Sequence, residues 1–384
     1  MEFRSPRQNR TPPKTGWFRK LHAVKNWALS FNSLDISEPS AVPNVPADAL
    51  PNKFDSLADY SVERILTPKE KDSMSYSTIF FGRHLSSGQL IAGKVFVDYT
   101  LNAETIAHVN SYNTLLYEAC VYEQLTKTKM TNIVRWITTL TLTQLPQKLS
   151  QVYYEIPFKL RPYVKGYTIL ITERRYGAYP LRKQHFTDAT LKNLLFQIVF
   201  ALIQANYYGF QHNDLHLGNI LVDTRPREKY IEYTVRGQTY TLDVQGGKVL
   251  LFDWDHGVCH GCGRNKYLDD IECPKYGICN EFNNRFDLYM VLREFRINTP
   301  AFTKFYKELM PESIIPIDSK FFRFYTEKPG DEHSILESLQ GRMCNFDLVE
   351  KQCVPFPSKQ PSFLPTPIDI IQHAYFSEFK RRLW

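Results

Sequence analysis

The chain has 384 residues, 43% of them hydrophobic and 14% aromatic, which is ample for the core of one large or two medium domains. No run of eighteen apolar residues occurs: the best stretch, Leu194 to Phe210, is broken by Gln197, Gln204 and Asn206, which suits a buried helix better than a membrane span. The net charge of +7 would suit a nucleic-acid binder, but residues 1–30 hold Arg4, Arg7, Arg10, Lys14, Arg19, Lys20 and Lys25 against Glu2 alone, so nearly all of the excess belongs to one end.

Residues 1–55, with Pro39, Pro43, Pro46 and Pro51 and little apolar periodicity, read as a basic disordered tail. Such a tail either solubilises the chain or contacts nucleic acid, an anionic membrane surface or another acidic partner. The N-terminus lacks an apolar signal-peptide core, so a soluble, intracellular protein without a transmembrane segment is expected. Seven cysteines, an odd number, argue against a disulfide framework.

From Tyr60 to Tyr99 polar and apolar residues alternate in three runs, Val62–Leu66, Thr78–Gly82 and Leu90–Val97, the last two joined by the turn residues Ser86-Ser87-Gly88. Three antiparallel strands are predicted. Ile106, Leu115, Leu116, Cys120, Val121 and Leu125 then follow helical spacing over residues 104–126. Strand-like runs at Ile133–Leu142 and Tyr167–Thr172 lead into an apolar helix from about Asp188 to Tyr208. Residues 225–245 read as an inserted β-hairpin around Arg236-Gly237-Gln238, and Lys248–Phe252 as another strand. Helical patterns dominate from Phe286 onward, with Asp287–Leu292 the clearest and Ile368–Phe379 the last.

The chemistry concentrates between the apolar helix and the Lys248–Phe252 strand. His212-Asn213-Asp214-Leu215-His216-Leu217-Gly218-Asn219 places an acid and an amide five positions apart ahead of an apolar strand, and Asp253-Trp254-Asp255 follows the next apolar strand but one. In-line phosphoryl transfer needs a group that orients the attacking hydroxyl and hard oxygen ligands for Mg²⁺, with Mn²⁺ as the alternative ion. Asp214 fits the first role; Asn219 and Asp253 fit the second. Taken singly, each is as well explained as a cap or turn residue. The joint pattern of helix, HxDxHxxN, strand, hairpin, strand and DxD points to a phosphotransferase.

On these motifs the chain resembles the protein kinase-like superfamily, in particular the divergent serine/threonine kinases encoded by large cytoplasmic DNA viruses. The resemblance implies an α+β fold with two lobes, a small β-rich lobe over residues 56–177 and a larger helical lobe over 178–384. It implies ATP as phosphoryl donor, a protein hydroxyl as acceptor, and residence in the host cytoplasm or the virion. It assigns Lys94, in Ala92-Gly93-Lys94-Val95-Phe96, to the nucleotide phosphates, and Glu118 to its ion pair in preference to Glu123. Residues 171–177, Glu173 among them, take the position of the adenine-binding strand and hinge. Asp287 takes the place of the acid that supports the catalytic loop from beneath, and His212 that of the loop histidine packed in the core.

Several positions depart from the pattern. Residues 67–77, where a glycine-rich phosphate loop is expected, contain no glycine. Asn213 replaces an arginine that receives an activation-loop phosphate. His216 replaces a lysine in a form shared with aminoglycoside and choline kinase-like enzymes, which keeps a small-molecule acceptor as the alternative reading; a catalytically inactive scaffold is a further one. Asp255 adds a second carboxylate, as a metal ligand or a turn cap. Cys259, Cys262, Cys273 and Cys279, within the region 256–280, are compatible with a structural Zn²⁺ site, His256 or His260 being substitute ligands, or with free buried thiols.

Overall fold

A computed structural model of the chain describes residues 56–66, 78–101, 106–272, 280–295, 297, 299–309, 344–347, 352–355 and 365–381. The basic tail 1–55, the glycine-free loop 67–77, and Cys273 and Cys279 lie outside the described residues.

The alternating runs pair into a mixed α+β architecture whose largest sheet has five strands. These are β1 (Tyr60–Ile65), β2 (Thr78–His84), β3 (Leu90–Tyr99), β4 (Trp136–Leu142) and β5 (Val164–Glu173), antiparallel throughout in the order β1-β2-β3-β5-β4. Helix α1 (Ile106–Thr126) connects β3 to β4. Because strand side chains alternate, the sheet feeds two cores. Ile91, Val95, Ile169 and Ile171 join Phe80 in one cluster, while Phe96 and Leu170 join Leu115, Val121 and Leu125 of α1 in the other. Gly93 is required at the centre, since a Cβ there would lie 2.2 Å from the Phe80 ring. Between β4 and β5 lies a helical insertion absent from the sequence reading. Its turns, including α2 (Ser150–Glu155), are too short to show a 3.6-residue period, and they cover the first core with Leu149, Val152, Ile156 and Leu160.

The second core is organised by α3 (Asp188–Tyr207), capped by the Thr187 hydroxyl, which accepts from the Thr190 N–H. Residues 194–206 are buried continuously. Of the polar residues that interrupt this run, Gln197 donates to the Gly247 carbonyl and accepts from the Val249 N–H, and Asn206 donates to the Asn284 carbonyl, while the buried Gln204 side-chain oxygen has no hydrogen-bond partner among the described residues. Gly209, at φ 79°, takes the left-handed position that ends the helix. The chain continues through β6 (Ala178–Pro180), which precedes α3, then β7 (Phe210–Gln211), β8 (Ile220–Asp223), the hairpin β9 (Tyr230–Val235) and β10 (Gln238–Asp243), and β11 (Lys248–Leu251). Strands pair in the order β11-β8-β6. Asn132 ties this small sheet to the α1–β4 connection: its side chain donates to the Val249 carbonyl and its own carbonyl accepts from the Leu251 N–H.

Beyond the short strand β12 (Val258–Cys259), helices α4 (Phe286–Glu294) and α5 (Pro300–Leu309) match the predicted helical pattern. Helices dominate the described part of the remainder as expected, but a hairpin of β13 (Cys344–Asp347) and β14 (Gln352–Pro355) stands among them, and the last helix is a short α6 (Pro367–Ile371) followed by a tighter turn over Ala374–Phe379. The final segment packs Phe376 on Phe196 and Lys192 against Glu378, which buttresses α3 from outside.

Candidate active site

Two constructions meet below the five-stranded sheet. The first is the loop between β7 and β8. Its backbone is fixed from beneath by the buried Asp287 of α4, whose two oxygens accept from the His212 N–H (2.7 Å) and the Asn213 N–H (2.8 Å). Burial raises the Asp287 pKa even though His212 and these N–H groups favour the charged form. His212 is fully buried, bonds the Phe252 carbonyl through Nε2 at 2.8 Å, and lies against the Trp254 ring. Asn213 sits at φ 66°, a region Asn tolerates better than most residues. Its amide donates to the His256 carbonyl (3.0 Å), so the position expected to lack a phosphate receptor instead ties the loop to the segment after Asp255.

Asp214 and Asn219 face one another across this loop. The Asn219 amide donates to the Asp214 carbonyl (2.9 Å) and to its carboxylate (3.2 Å). Two imidazoles approach the same carboxylate oxygen, His216 Nε2 at 3.7 Å and His256 Nδ1 at 3.8 Å. His216 Nδ1 accepts from the Gly218 N–H, so a neutral His216 ring carries its proton on Nε2, the nitrogen facing Asp214.

The second construction is ionic. Lys94, on central strand β3, reaches Glu118 of α1 at 2.9 Å and Asp253 after β11 at 2.6 Å, with Asp255 at 3.9 Å. Burial disfavours the Lys94 charge, yet Asp253, Glu118 and Asp255 together hold its pKa well above the usual value. Asp253 shows the reverse balance: burial opposes its charge, and the Lys94 ammonium outweighs that and lowers its pKa. Burial dominates at Glu118, pushed up to about 8 despite Lys94, and at Asp255, raised by burial and then by Asp253. One oxygen each from Glu118, Asp253 and Asp255 lie within 4.8 Å of one another. Glu123, the rejected partner, is exposed and pairs with Lys127 instead.

Glu173 stands apart from this cluster at the end of β5, its carboxylate held by Arg175 at 2.8 Å. The cysteines differ from expectation most. Cys262 is disulfide-bonded to Cys120 of α1, so in this form it offers no thiolate for zinc; Cys259 is a buried free thiol whose pKa burial raises. One disulfide, joining residues 142 apart in sequence, thus stands where no disulfide framework was expected. Sequence reasoning also missed Tyr122, whose hydroxyl accepts from the Asp253 N–H (3.1 Å), Tyr117, whose hydroxyl accepts from the Cys259 N–H (3.0 Å), and Asn265, whose amide donates to the Asp255 and Gly257 carbonyls. The one available signal was spacing: Tyr122 lies a helical turn after Glu118 and shares its face.

The comparisons with known proteins agree with the motif. The chain is 32% identical over 108 residues to a protein of Acanthamoeba polyphaga mimivirus named as a serine/threonine-protein kinase, covering 27% of each sequence. A second mimivirus protein so named is 24% identical over 181 residues, covering 44% of this chain and 38% of its own length. A protein of Dictyostelium discoideum named as a serine/threonine-protein kinase is 46% identical over 50 residues, 12% of this chain and 4% of that protein. The chain thus spans less than two-fifths of the length of each of these relatives. No family model matches it. The resemblance to serine/threonine kinases, two of them from a large DNA virus, is shown by these matches.

Proposed function

We propose that the chain is an ATP-dependent serine/threonine protein kinase that transfers the γ-phosphoryl of Mg·ATP to a protein hydroxyl. The observation that carries this reading is Lys94 bridging Glu118 and Asp253 at 2.9 and 2.6 Å, bonds that span 24 and 159 residues of sequence and end beside the Asp214–Asn219 loop. The donor set suits the cofactor: carboxylate and amide oxygens are the hard ligands a divalent magnesium or manganese ion takes, and a buried ammonium suits phosphate. Asp253, Asn219 and Asp255 would hold the metal and Lys94 the nucleotide phosphates, with residues 171–177 beside the base. Bound Mg·ATP supplies the phosphoryl group and the cationic charge that offsets the surrounding oxygens.

The chain's own residues account for the rest. Asp214 orients the acceptor hydroxyl and takes its proton, and the Asn219 amide holds that carboxylate in place. Glu118 fixes the Lys94 ammonium, and Asp287 fixes the loop backbone. On this reading residues 56–177 act as the smaller lobe and 178–384 as the larger. The mimivirus relatives support a viral origin; on that reading the chain would act in the host cytoplasm or the virion, and the tail 1–55 would contact nucleic acid or another acidic partner. Among the described residues no helix is long and apolar enough to cross a membrane.

The test is transfer of label from γ-labelled ATP with Mg²⁺ to casein or histone by the purified chain, with small alcohols and aminoglycosides in parallel. Label on the protein acceptor, lost in Asp214→Ala, is expected. Label only on a small alcohol would replace the reading with that of a small-molecule kinase, and no nucleotide binding at all would leave an inactive scaffold.

A further inference from the structure

The Cys120–Cys262 bond joins the two elements whose relative position sets the Lys94 contacts. Cys120 follows Glu118 by two residues on α1, and Cys262 lies in the segment that leaves Asp253 and Asp255. Around the bond, the same helix meets the same segment through neutral contacts. The Tyr117 hydroxyl accepts from the Cys259 N–H and donates to the Gly263 carbonyl (3.3 Å), the Tyr122 hydroxyl accepts from the Asp253 N–H, and a Cβ on Gly261 would come within 3.2 Å of the Gln124 side chain. Among the described residues the disulfide is the one covalent tie between them. Both cysteines are half-buried, within reach of a small reductant. Where cellular thiols are kept reduced, disulfides that do form are usually transient and redox-sensing rather than structural.

We propose that Cys120 and Cys262 form a redox latch on the phosphotransfer site, which rests on the kinase reading above. In the oxidised chain α1 is held against the segment after Asp253, so Glu118 stays on Lys94. In the reduced chain α1 is released and turnover falls. Reduction by a dithiol runs through exchange: a reductant thiolate bonds to one cysteine sulfur, the Cys120–Cys262 bond breaks, and the departing thiolate takes a proton. The second reductant thiolate then displaces the other cysteine, leaving two cysteine thiols and the reductant as its own disulfide. Re-formation uses glutathione disulfide as oxidant and returns two molecules of glutathione.

The test equilibrates the purified chain in glutathione buffers from oxidised to reduced and reads three quantities in the same samples. These are the bond, by peptide mass spectrometry after alkylation; amide hydrogen exchange over residues 114–126; and phosphate transfer. In the oxidised chain, exchange over 114–126 is expected to be slower on the order of tenfold and turnover higher by about fivefold. Cys120→Ser and Cys262→Ser should each abolish both responses and behave as the reduced chain, while Cys259→Ser keeps them. Equal exchange in both states while the bond switches would overturn the latch, as would a bond that forms in no buffer. One equivalent of zinc held by the reduced chain and lost in Cys262→Ser would overturn it in favour of a metal site. A full exchange response without phosphate transfer in either state would uphold the latch and overturn the kinase reading.

Discussion

The loop that carries Asp214 and the cluster around Lys94 adjoin one another but are held by opposite means. Asp287 anchors the loop by accepting two buried backbone N–H groups, and His212 adds a bond to the Phe252 carbonyl. The cluster is held by side-chain charge and hydrogen bonding, one ammonium among three carboxyl groups. A satisfied backbone anchor is rigid and fails only when its acceptor is removed. A buried charge cluster responds to every proton and ion that reaches it. Position and reactivity are therefore separable here, and four substitutions would show whether the separation is real.

The largest effect is expected at Asp214→Ala, which removes the group proposed as proton acceptor: turnover should fall about 10²–10⁴-fold while unfolding midpoints stay near those of the native chain. Asp287→Ala should do the converse. It orphans two buried N–H groups at roughly 1–3 kcal/mol each, so urea unfolding should report about 2–6 kcal/mol of lost stability. Stability within about 0.5 kcal/mol of the native chain would mean that Asp287 is no anchor, since surface changes alone fall in that range.

A smaller and pH-dependent effect is expected at Glu118. Its pKa is pushed up to about 8 in the folded chain, whereas an unfolded Glu titrates near ~4.3. The folded state thus keeps a proton that the unfolded state has released. With divalent cations chelated, stability should fall as pH rises between these values and level off above them. Glu118→Gln cannot release that proton, so its curve should be flatter by up to about 1.4 kcal/mol per pH unit. Parallel curves for the two proteins would contradict the assignment. The smallest effect belongs to Glu123→Ala: an exposed i,i+4 pair with Lys127 contributes at most about 0.5 kcal/mol, and activity should not change.

The same contrast explains what could be read from the sequence. The facing of Asp214 and Asn219 was legible because they sit five positions apart within one helix–loop–strand passage, and Asp253 because it comes just after the apolar strand that follows the hairpin. Glu118 was legible against Glu123 because Val121 and Tyr122, three and four positions on, mark the buried face of the helix. Contacts set by packing between distant segments left no local mark. Cys120 reads as an ordinary apolar helix position and Cys262 as half of a CxxC, and nothing in either spacing pairs them. The Tyr122 hydroxyl on the Asp253 N–H is equally invisible, because an aromatic on a buried helix face is first of all a core residue. The β13–β14 hairpin was missed because its strands of four residues each are too short to show a clear alternation. Cys273, Cys279 and the loop 67–77 lie outside the described residues, so the four-cysteine reading extends no further than Cys259 and Cys262.

The central claim is that Lys94, Glu118, Asp253 and the Asp214–Asn219 loop form one nucleotide site in which binding and transfer are carried by different residues. Calorimetric titration of the chain with Mg·ATP, set beside phosphate transfer in the same preparations, tests it most directly. Asp253→Ala should bind Mg·ATP at least about tenfold more weakly, a loss of about 1.4 kcal/mol or more, while Asp214→Ala binds as the native chain does and transfers at least about 10²-fold more slowly. Native-like binding by Asp253→Ala, or transfer by Asp214→Ala at the native rate, would contradict the account.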